Sequence, residues 1–161
     1  MKSNDEVNEV RADARQIESA QLDPYRPPER TTGVLWLVIP YTTLELTRAA
    51  LRHAGVCSDL DVHVSLVDVQ VVPFPCALDQ PAVNNEYSQR RLQELFSESG
   101  LPGHAAVLYT RDWLGGFRRA LEPKSLVIVA TKRCRWWTTR ETRLARTLTK
   151  AGHQVMLLPV R

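Results

Sequence analysis

The chain has 161 residues, of which 43% are hydrophobic, so it can bury one mid-sized core and is too short for two. Its net charge of +3 is too small to imply a nucleic-acid or membrane partner by itself. The charge is uneven: residues 1–30 carry 5 basic and 7 acidic groups, residues 31–110 carry 4 and 8, and residues 111–161 carry 12 and 3. The basic last segment is therefore the informative one.

The cysteines and histidines predict neither a disulfide framework nor a metal site. Cys57, Cys76 and Cys134 are far apart in the sequence, and the four histidines lack metal-ligand spacing. No apolar run approaches the roughly 20 residues of a membrane span, and the N-terminus lacks the apolar stretch of a signal peptide. We therefore expect a reducing, cytoplasmic setting.

Residues 1–30 are charged, poor in large apolar groups and rich in proline near their end. This composition predicts a flexible arm or linker over 1–30 and a folded domain over 31–161. A weak apolar stripe leaves open that the arm docks on another surface; it comprises Val7, Val10, Ala14 and Ile17.

The domain begins with a continuous apolar run over 34–39, which is typical of a strand covered on both faces. Thr42 and Glu45 then form a capping box, and Gly55 provides a left-handed stop, so a helix is predicted between them. Residues 62–69 are rich in β-branched side chains and predict a second strand. Asn84 can cap a second helix, which ends before Gly100.

The same alternation continues to the end of the chain. We predict strands over 105–110, 125–131 and 153–160, separated by a helical stripe that contains Trp113 and Phe117 and by a helix over 138–151. Thr138 and Glu141 form a second capping box, and Gly152 ends that helix. Five strands and four helices in alternation, with connections too long for hairpins, predict a doubly wound α/β domain with a mostly parallel sheet.

Ligands of such sheets bind beyond the carboxyl ends of the strands. The loop after the first strand is one candidate wall of this crevice, and the segment after the fourth strand is the other. Asp68, at the end of the second strand, could face the same space and pair with an arginine. The candidate ligand-binding residues are Tyr41, Thr42, Thr43, Asp68, Thr131, Lys132, Arg133, Arg135, Trp136, Thr138 and Thr139.

The second wall combines cations and indoles at a helix N-terminus, which suits an anion and a stacked flat group. In the opposing interpretation, Trp136 and Trp137 cover the end of the sheet and the cations are solvated. The following helix adds a basic surface that could contact an acidic protein, a membrane surface or nucleic acid. A nucleic-acid partner is the least favoured, because no reading motif is present. This basic surface comprises Arg140, Arg143, Arg146 and Lys150.

The order of strands and helices, especially over 34–69 and 104–160, resembles that of the universal stress protein family. The resemblance implies a sheet in the order 3-2-1-4-5, which would place the loops after the first and fourth strands side by side. It also implies a homodimer formed through the last strand.

The nucleotide motif of the ATP-binding members of that family is missing. Those members have an aspartate after the first strand, where this chain has Pro40 and Tyr41, and glycines after the fourth, where it has Ala130, Arg133 and Arg143. Glycines let the backbone approach phosphates closely, so we expect a degenerate nucleotide-binding site without ATP or AMP in the usual mode. No nucleophile with a neighbouring base stands out either. The resemblance implies a non-enzymatic regulatory module in the stress response, with a small anionic ligand or a protein partner.

A narrower likeness concerns residues 72–75, 84–86 and 125–152 with the pair of tryptophans. These segments resemble the stress-protein-like cytoplasmic tails of some bacterial amino-acid permeases. The chain is thus either a free-standing relative or a domain of a larger membrane protein, and a membrane-protein partner follows from the second case.

Overall fold

A computed structural model describes residues 33–56, 61–78, 85–132 and 138–160. The predicted flexible arm lies outside these ranges. None of the helices within them is long and apolar enough to cross a membrane. The elements are β1 (Leu35–Pro40), α1 (Leu44–Val56), β2 (Val62–Val71), α2 (Asn85–Glu98), β3 (Gly103–Thr110), α3 (Trp113–Ala120), β4 (Leu126–Lys132), α4 (Arg140–Lys150) and β5 (Gln154–Val160).

The five strands form one parallel sheet in the order β3-β2-β1-β4-β5. This confirms the predicted α/β architecture and the strand order that the family resemblance implied. β1 lies in the middle, with Leu35 opposite Val62 of β2 and Leu37 opposite Leu126 of β4. The chain therefore extends the sheet first on one side of β1 and then on the other, and the carboxyl ends of β1 and β4 are neighbours.

Helices cover both faces of the sheet, which explains why its central strands are apolar at successive positions. Leu37 and Ile39 of β1 belong to one buried cluster, with side chains of α1 and α2. Val38, between them, belongs to a second buried cluster with side chains of α3 and α4, including Phe117. The side chains of β1 alternate between these two layers because successive residues of a strand point to opposite faces.

Both predicted N-caps are wrong by one residue. Thr43, not Thr42, caps α1, because its hydroxyl accepts from the backbone N–H of Leu46 at 3.3 Å. At α4 the cap is Thr139, not Thr138, and its hydroxyl accepts from the N–H of Thr142 at 3.2 Å. In each case the second threonine of a pair lies directly before the first helical residue, which is the position from which a side chain reaches the first-turn amides.

The predicted helix ends are confirmed in two of three cases. Gly152 and Gly100 have left-handed φ values of +91° and +66°, as expected of residues that follow a helix. Gly55 was predicted to end α1 in the same way, and this is wrong. It lies inside α1, which continues to Val56.

Trp36, His63 and His104 each occupy the second position of β1, β2 or β3 and contact one another at the amino-terminal edge of the sheet. The Trp36 and His63 ring centroids are 4.2 Å apart, and those of His63 and His104 are 5.9 Å apart. Burial lowers the pKa of both histidines, and the charge of His63 lowers that of His104 further. These side chains lie at the opposite end of the strands from the expected crevice.

These pKa directions predict acid sensitivity. A histidine whose folded-state pKa is lowered binds fewer protons folded than unfolded, so stability is fully present above the unfolded value near 6.5 and is lost as the pH falls below it. We expect the Tm to be a few degrees lower at pH 5.5 than at pH 7.5. His63→Gln should flatten this dependence in differential scanning calorimetry. An unchanged slope in His63→Gln would contradict the assignment.

Candidate functional site

A cleft of about 260 Å³ opens at the carboxyl ends of β1 and β2, beside the first turns of α2. This is the edge of the sheet at which the ligands of doubly wound folds bind. The cleft includes Tyr41 and Asp68, two of the residues predicted from the sequence. Its lining consists of Tyr41, Asp68, Gln70, Tyr87, Ser88, Arg91 and Leu92.

The floor of the cleft is polar because β2 presents Asp68 and Gln70, two residues apart, on the side that faces α2. The Gln70 amide nitrogen donates to the Asp68 carboxylate at 2.9 Å. The Ser88 hydroxyl of α2 donates to the Gln70 amide oxygen at 3.5 Å, and Ser88 is itself buried. This chain of contacts fixes which end of the Gln70 amide faces the carboxylate.

Asp68 is the electrostatically unusual group of the cleft. Burial raises the pKa of its carboxyl group, while the hydrogen bond from Gln70 and the charges of Arg91 and Arg140 partly offset that rise. Within the described part of the chain, no cation lies at ion-pair distance from it. The carboxylate thus faces the cleft with a single side-chain hydrogen bond and incomplete charge compensation.

Tyr109 of β3 interacts with the same polar residues. Burial raises the pKa of its hydroxyl, an interaction with Ser88 counteracts this rise, and the charge of Asp68 adds to it. The rim of the cleft is formed by Arg91 and Tyr41. An Arg91 guanidinium nitrogen donates to the Tyr41 hydroxyl at 2.8 Å, and the guanidinium carbon lies 5.9 Å from the centre of the ring.

The described residues of the predicted second wall make contacts within the fold. The Lys132 ammonium group pairs with Glu45 of α1 at 2.8 Å, and both side chains are exposed. The Thr131 hydroxyl lies 3.1 Å from that of Thr139, which caps α4. These contacts connect the end of β4 to α1 and α4, so they have a structural role whether or not a ligand binds.

The described residues do not include Arg133, Arg135 and Trp136 of the predicted site. Thr138 is described and is exposed. Thr42 contacts α1 through its backbone, whose N–H donates to the Thr47 hydroxyl at 3.4 Å.

Arg140 was predicted as part of the basic surface, but it has a different environment from the other members. Its guanidinium lies 3.8 Å from the centre of the Trp113 ring, a distance typical of a cation–π contact. Its charge also reaches Asp68. Arg143, Arg146 and Lys150 are exposed on α4.

Sequence reasoning missed Gln70, Ser88 and Arg91. A signal existed for Gln70, because a residue two positions after Asp68 in the same strand lies on the same face of the sheet. Ser88 and Arg91 had no comparable signal, since their place in the cleft depends on how α2 packs on β2.

The cleft is equipped for noncovalent binding. It offers a carboxylate, an amide, hydroxyl groups and a guanidinium, which can fix the orientation of a small polar molecule. Among the described residues, no three His, Cys, Asp or Glu side chains lie close enough together to hold a metal ion.

The fold and this cleft define a doubly wound α/β protein with a cleft at the carboxyl edge of its sheet. The structure is similar to that of a universal stress protein family member from Burkholderia pseudomallei, with a TM-score of 0.53 and 16% identity over 81% of this chain and 100% of that one. It is also similar to a universal stress protein from Archaeoglobus fulgidus, with a TM-score of 0.50 and 12% identity over 76% of this chain and 92% of that one. No family model and no curated protein sequence matches the chain. The likeness shows the universal stress protein fold.

Proposed function

We propose that the protein is a non-enzymatic regulatory module of the universal stress protein type that binds a small ligand with an anionic group in the Asp68–Arg91 cleft. The observation that carries this proposal is the position of Arg91, a cation at the rim of a cleft on the carboxyl edge of the sheet. Four of its five N–H donors remain for a ligand once one has bonded Tyr41.

The usual nucleotide cradle is not part of this proposal. Ala130 stands at one of the glycine positions of the ATP motif in the sequence comparison, and it is buried in the first core cluster. A volume of about 260 Å³ is also slightly below the usual range of ligand pockets. Both observations favour a ligand smaller than ATP.

The proposal predicts a ligand-dependent rise in Tm that requires Arg91. The measurement is a thermal-shift panel of ATP, ADP, AMP, cyclic dinucleotides, phosphate and small organic acids at two salt concentrations. A ligand at 100 times its Kd stabilises the folded state by about 2.7 kcal/mol, which is roughly 5–10 °C for a chain of this size. Arg91→Ala should weaken binding at least tenfold, since a charged hydrogen bond contributes about 1.5–3 kcal/mol.

Arg90 provides the matched control, because it is exposed on the same helix and does not line the cleft. Arg90→Ala should retain the full shift. A shift that both variants lose equally would place the ligand elsewhere, and a panel without any shift would overturn the proposal.

The charge distribution supports a second candidate, an electrostatic contact surface for an acidic partner. The helices of the two layers differ sharply: α1 and α2 together carry four basic and four acidic residues, whereas α3 and α4 carry six and one. Binding by this surface would fall steeply with salt and respond to Arg143→Glu and Lys150→Glu rather than to Arg91→Ala. The two salt concentrations of the panel therefore separate the two functions.

The structure is also compatible with the proposed homodimer through the last strand. β5 is an outer strand of the sheet, and its Met156 and Leu157 are each 44% exposed. An outer strand with exposed apolar side chains is suited to pairing with a second chain.

A further inference from the structure

The cleft contains two opposite charges that do not neutralise each other. Asp68 receives its hydrogen bond from Gln70, and Arg91 donates one to Tyr41. Their charges interact, since Arg91 counteracts the rise in the pKa of Asp68. Nevertheless, they are not among the ion pairs within 4.0 Å in the described part of the chain.

Separate anchors hold the two charges apart. Gln70 is fixed by Ser88, which is buried, so the position of the Asp68 carboxylate is set from inside the domain. Arg91 is held at the rim by its hydrogen bond to the hydroxyl of Tyr41, the residue directly after β1. A partly buried carboxylate without an ion-pair partner is unfavourable, and a cation placed in the cleft would relieve this cost.

Resting on the proposed function, we propose that the cleft selects compact dipolar molecules, with an ammonium group toward Asp68 and a carboxylate or phosphate toward Arg91. A purely anionic ligand would satisfy Arg91 and be repelled by Asp68. A purely cationic ligand would be attracted by Asp68 and repelled by Arg91. Only a molecule with both groups complements the floor and the rim together, and the small volume restricts it to the size of an amino acid or an amino phosphate.

Matched probes test this selectivity. The thermal-shift panel is extended with α-amino acids and with phosphoethanolamine and phosphoserine, each beside the corresponding amine and the corresponding acid. We expect a rise in Tm from one or more dipolar compounds and none from their singly charged counterparts. Comparison of the amino acids with the amino phosphates shows whether Arg91 binds a carboxylate or a phosphate.

The role of Asp68 is tested by Asp68→Asn, which preserves the size of the side chain and removes the charge. We expect at least a tenfold loss of affinity for the dipolar compound in isothermal titration calorimetry. Asp61→Asn is the control, because it removes the same charge from the chain. Asp61 is exposed just before β2, at the opposite end of that strand from Asp68. The Tm of each free variant shows that it is folded.

The pH dependence of binding gives an independent readout. The other titratable or charged groups around Asp68 are Tyr41 after β1, Tyr87 and Arg91 of α2, Tyr109 of β3 and Arg140 of α4. A dipolar ligand needs the ionised carboxylate, so its affinity should fall as the pH is lowered through the pKa of Asp68. A purely anionic ligand should bind more tightly over the same range.

The outcomes separate this inference from the proposed function. If an anion without an amine binds the cleft, requires Arg91 and is indifferent to or improved by Asp68→Asn, the proposed function stands and the dipolar selectivity is wrong. If no dipolar compound raises the Tm at millimolar concentration, the selectivity is wrong as well. The proposed function itself fails if the whole panel, including the anions, leaves the Tm unchanged, or if the compounds that raise the Tm do not require Arg91.

Discussion

Replacement of Gly103 by alanine is expected to lower the free energy of unfolding by about 3 kcal/mol or more. Gly103 is the first residue of β3 and is paired with Val64 of β2. A Cβ atom there would overlap the backbone carbonyl of Val64, and the φ of +146° is unfavourable for any residue with a side chain. Relief requires β3 to move away from β2 at the start of their pairing. Urea unfolding with a linear extrapolation measures the loss.

Gly152→Ala is the control for this substitution. Gly152 also has a left-handed φ, +91°, but no atom lies within 4 Å of the position that a Cβ would take. Its replacement should therefore cost only the left-handed strain, about 1–2 kcal/mol. Equal costs at the two positions would mean that β3 does not approach β2 as closely at Gly103 as the structure has it.

Phe117→Ala is expected to cost about 3–5 kcal/mol, the usual range for removal of a large buried aromatic side chain. Phe117 is completely buried, at the centre of the cluster that α3 and α4 form with β1, β2 and β4. Its ring also packs edge-on against Trp113, with centroids 5.1 Å apart. The Tm should fall by about 10 °C, at roughly 2–4 °C per kcal/mol for a chain of this length.

Leu114→Ala is a suitable comparison, because Leu114 lies on the same helix and is only partly buried against the same cluster. It should cost clearly less than Phe117→Ala in the same urea and calorimetric experiments. A cost below about 1 kcal/mol for Phe117→Ala would contradict the packing of α3 on the sheet. The Trp113 ring packs against Phe117 and contacts the Arg140 guanidinium, so Phe117→Ala should also disturb the contact between Trp113 and Arg140.

The sequence predicted the elements well where the pattern was local. The apolar run over 34–39 and the β-branched run over 62–69 correspond to β1 and β2, and the helix predicted over 138–151 corresponds to α4. Strand and helix periodicities are properties of a few neighbouring residues, so they can be recognised without knowledge of the fold. The strand order did not come from such patterns; it came from the family resemblance and was confirmed.

Helix ends were less accurate. Threonine pairs precede both α1 and α4, and either threonine of each pair fits the capping preference. The second one caps in both cases, since the position of the first helical residue is set by how the helix packs on the sheet. The sequence indicated Glu45 only as part of a capping box. Its side chain pairs with Lys132 of β4, a partner 87 positions away that no local pattern could indicate.

For the candidate site, the sequence predicted a crevice at the carboxyl edge of the sheet and only part of the lining of the cleft described there. Tyr41 and Asp68 were predicted and line it, whereas Arg91 was not predicted and forms its cationic rim. The predicted cationic wall after β4 is described only in part, and its Lys132 is already paired with an acid.

By itself, the sequence determined the α/β alternation, because it follows from periodicity. It also predicted a crevice at the strand ends, because parallel sheets generally bind their ligands there. Only the tertiary structure decided which charges meet. Asp68 and Arg91 are separated by 23 positions and lie on different elements, so their shared cleft depends on the packing of α2 against β2. Their separate hydrogen bonds to Gln70 and Tyr41 depend on the same packing, and long-range packing of this kind leaves no local pattern in the sequence.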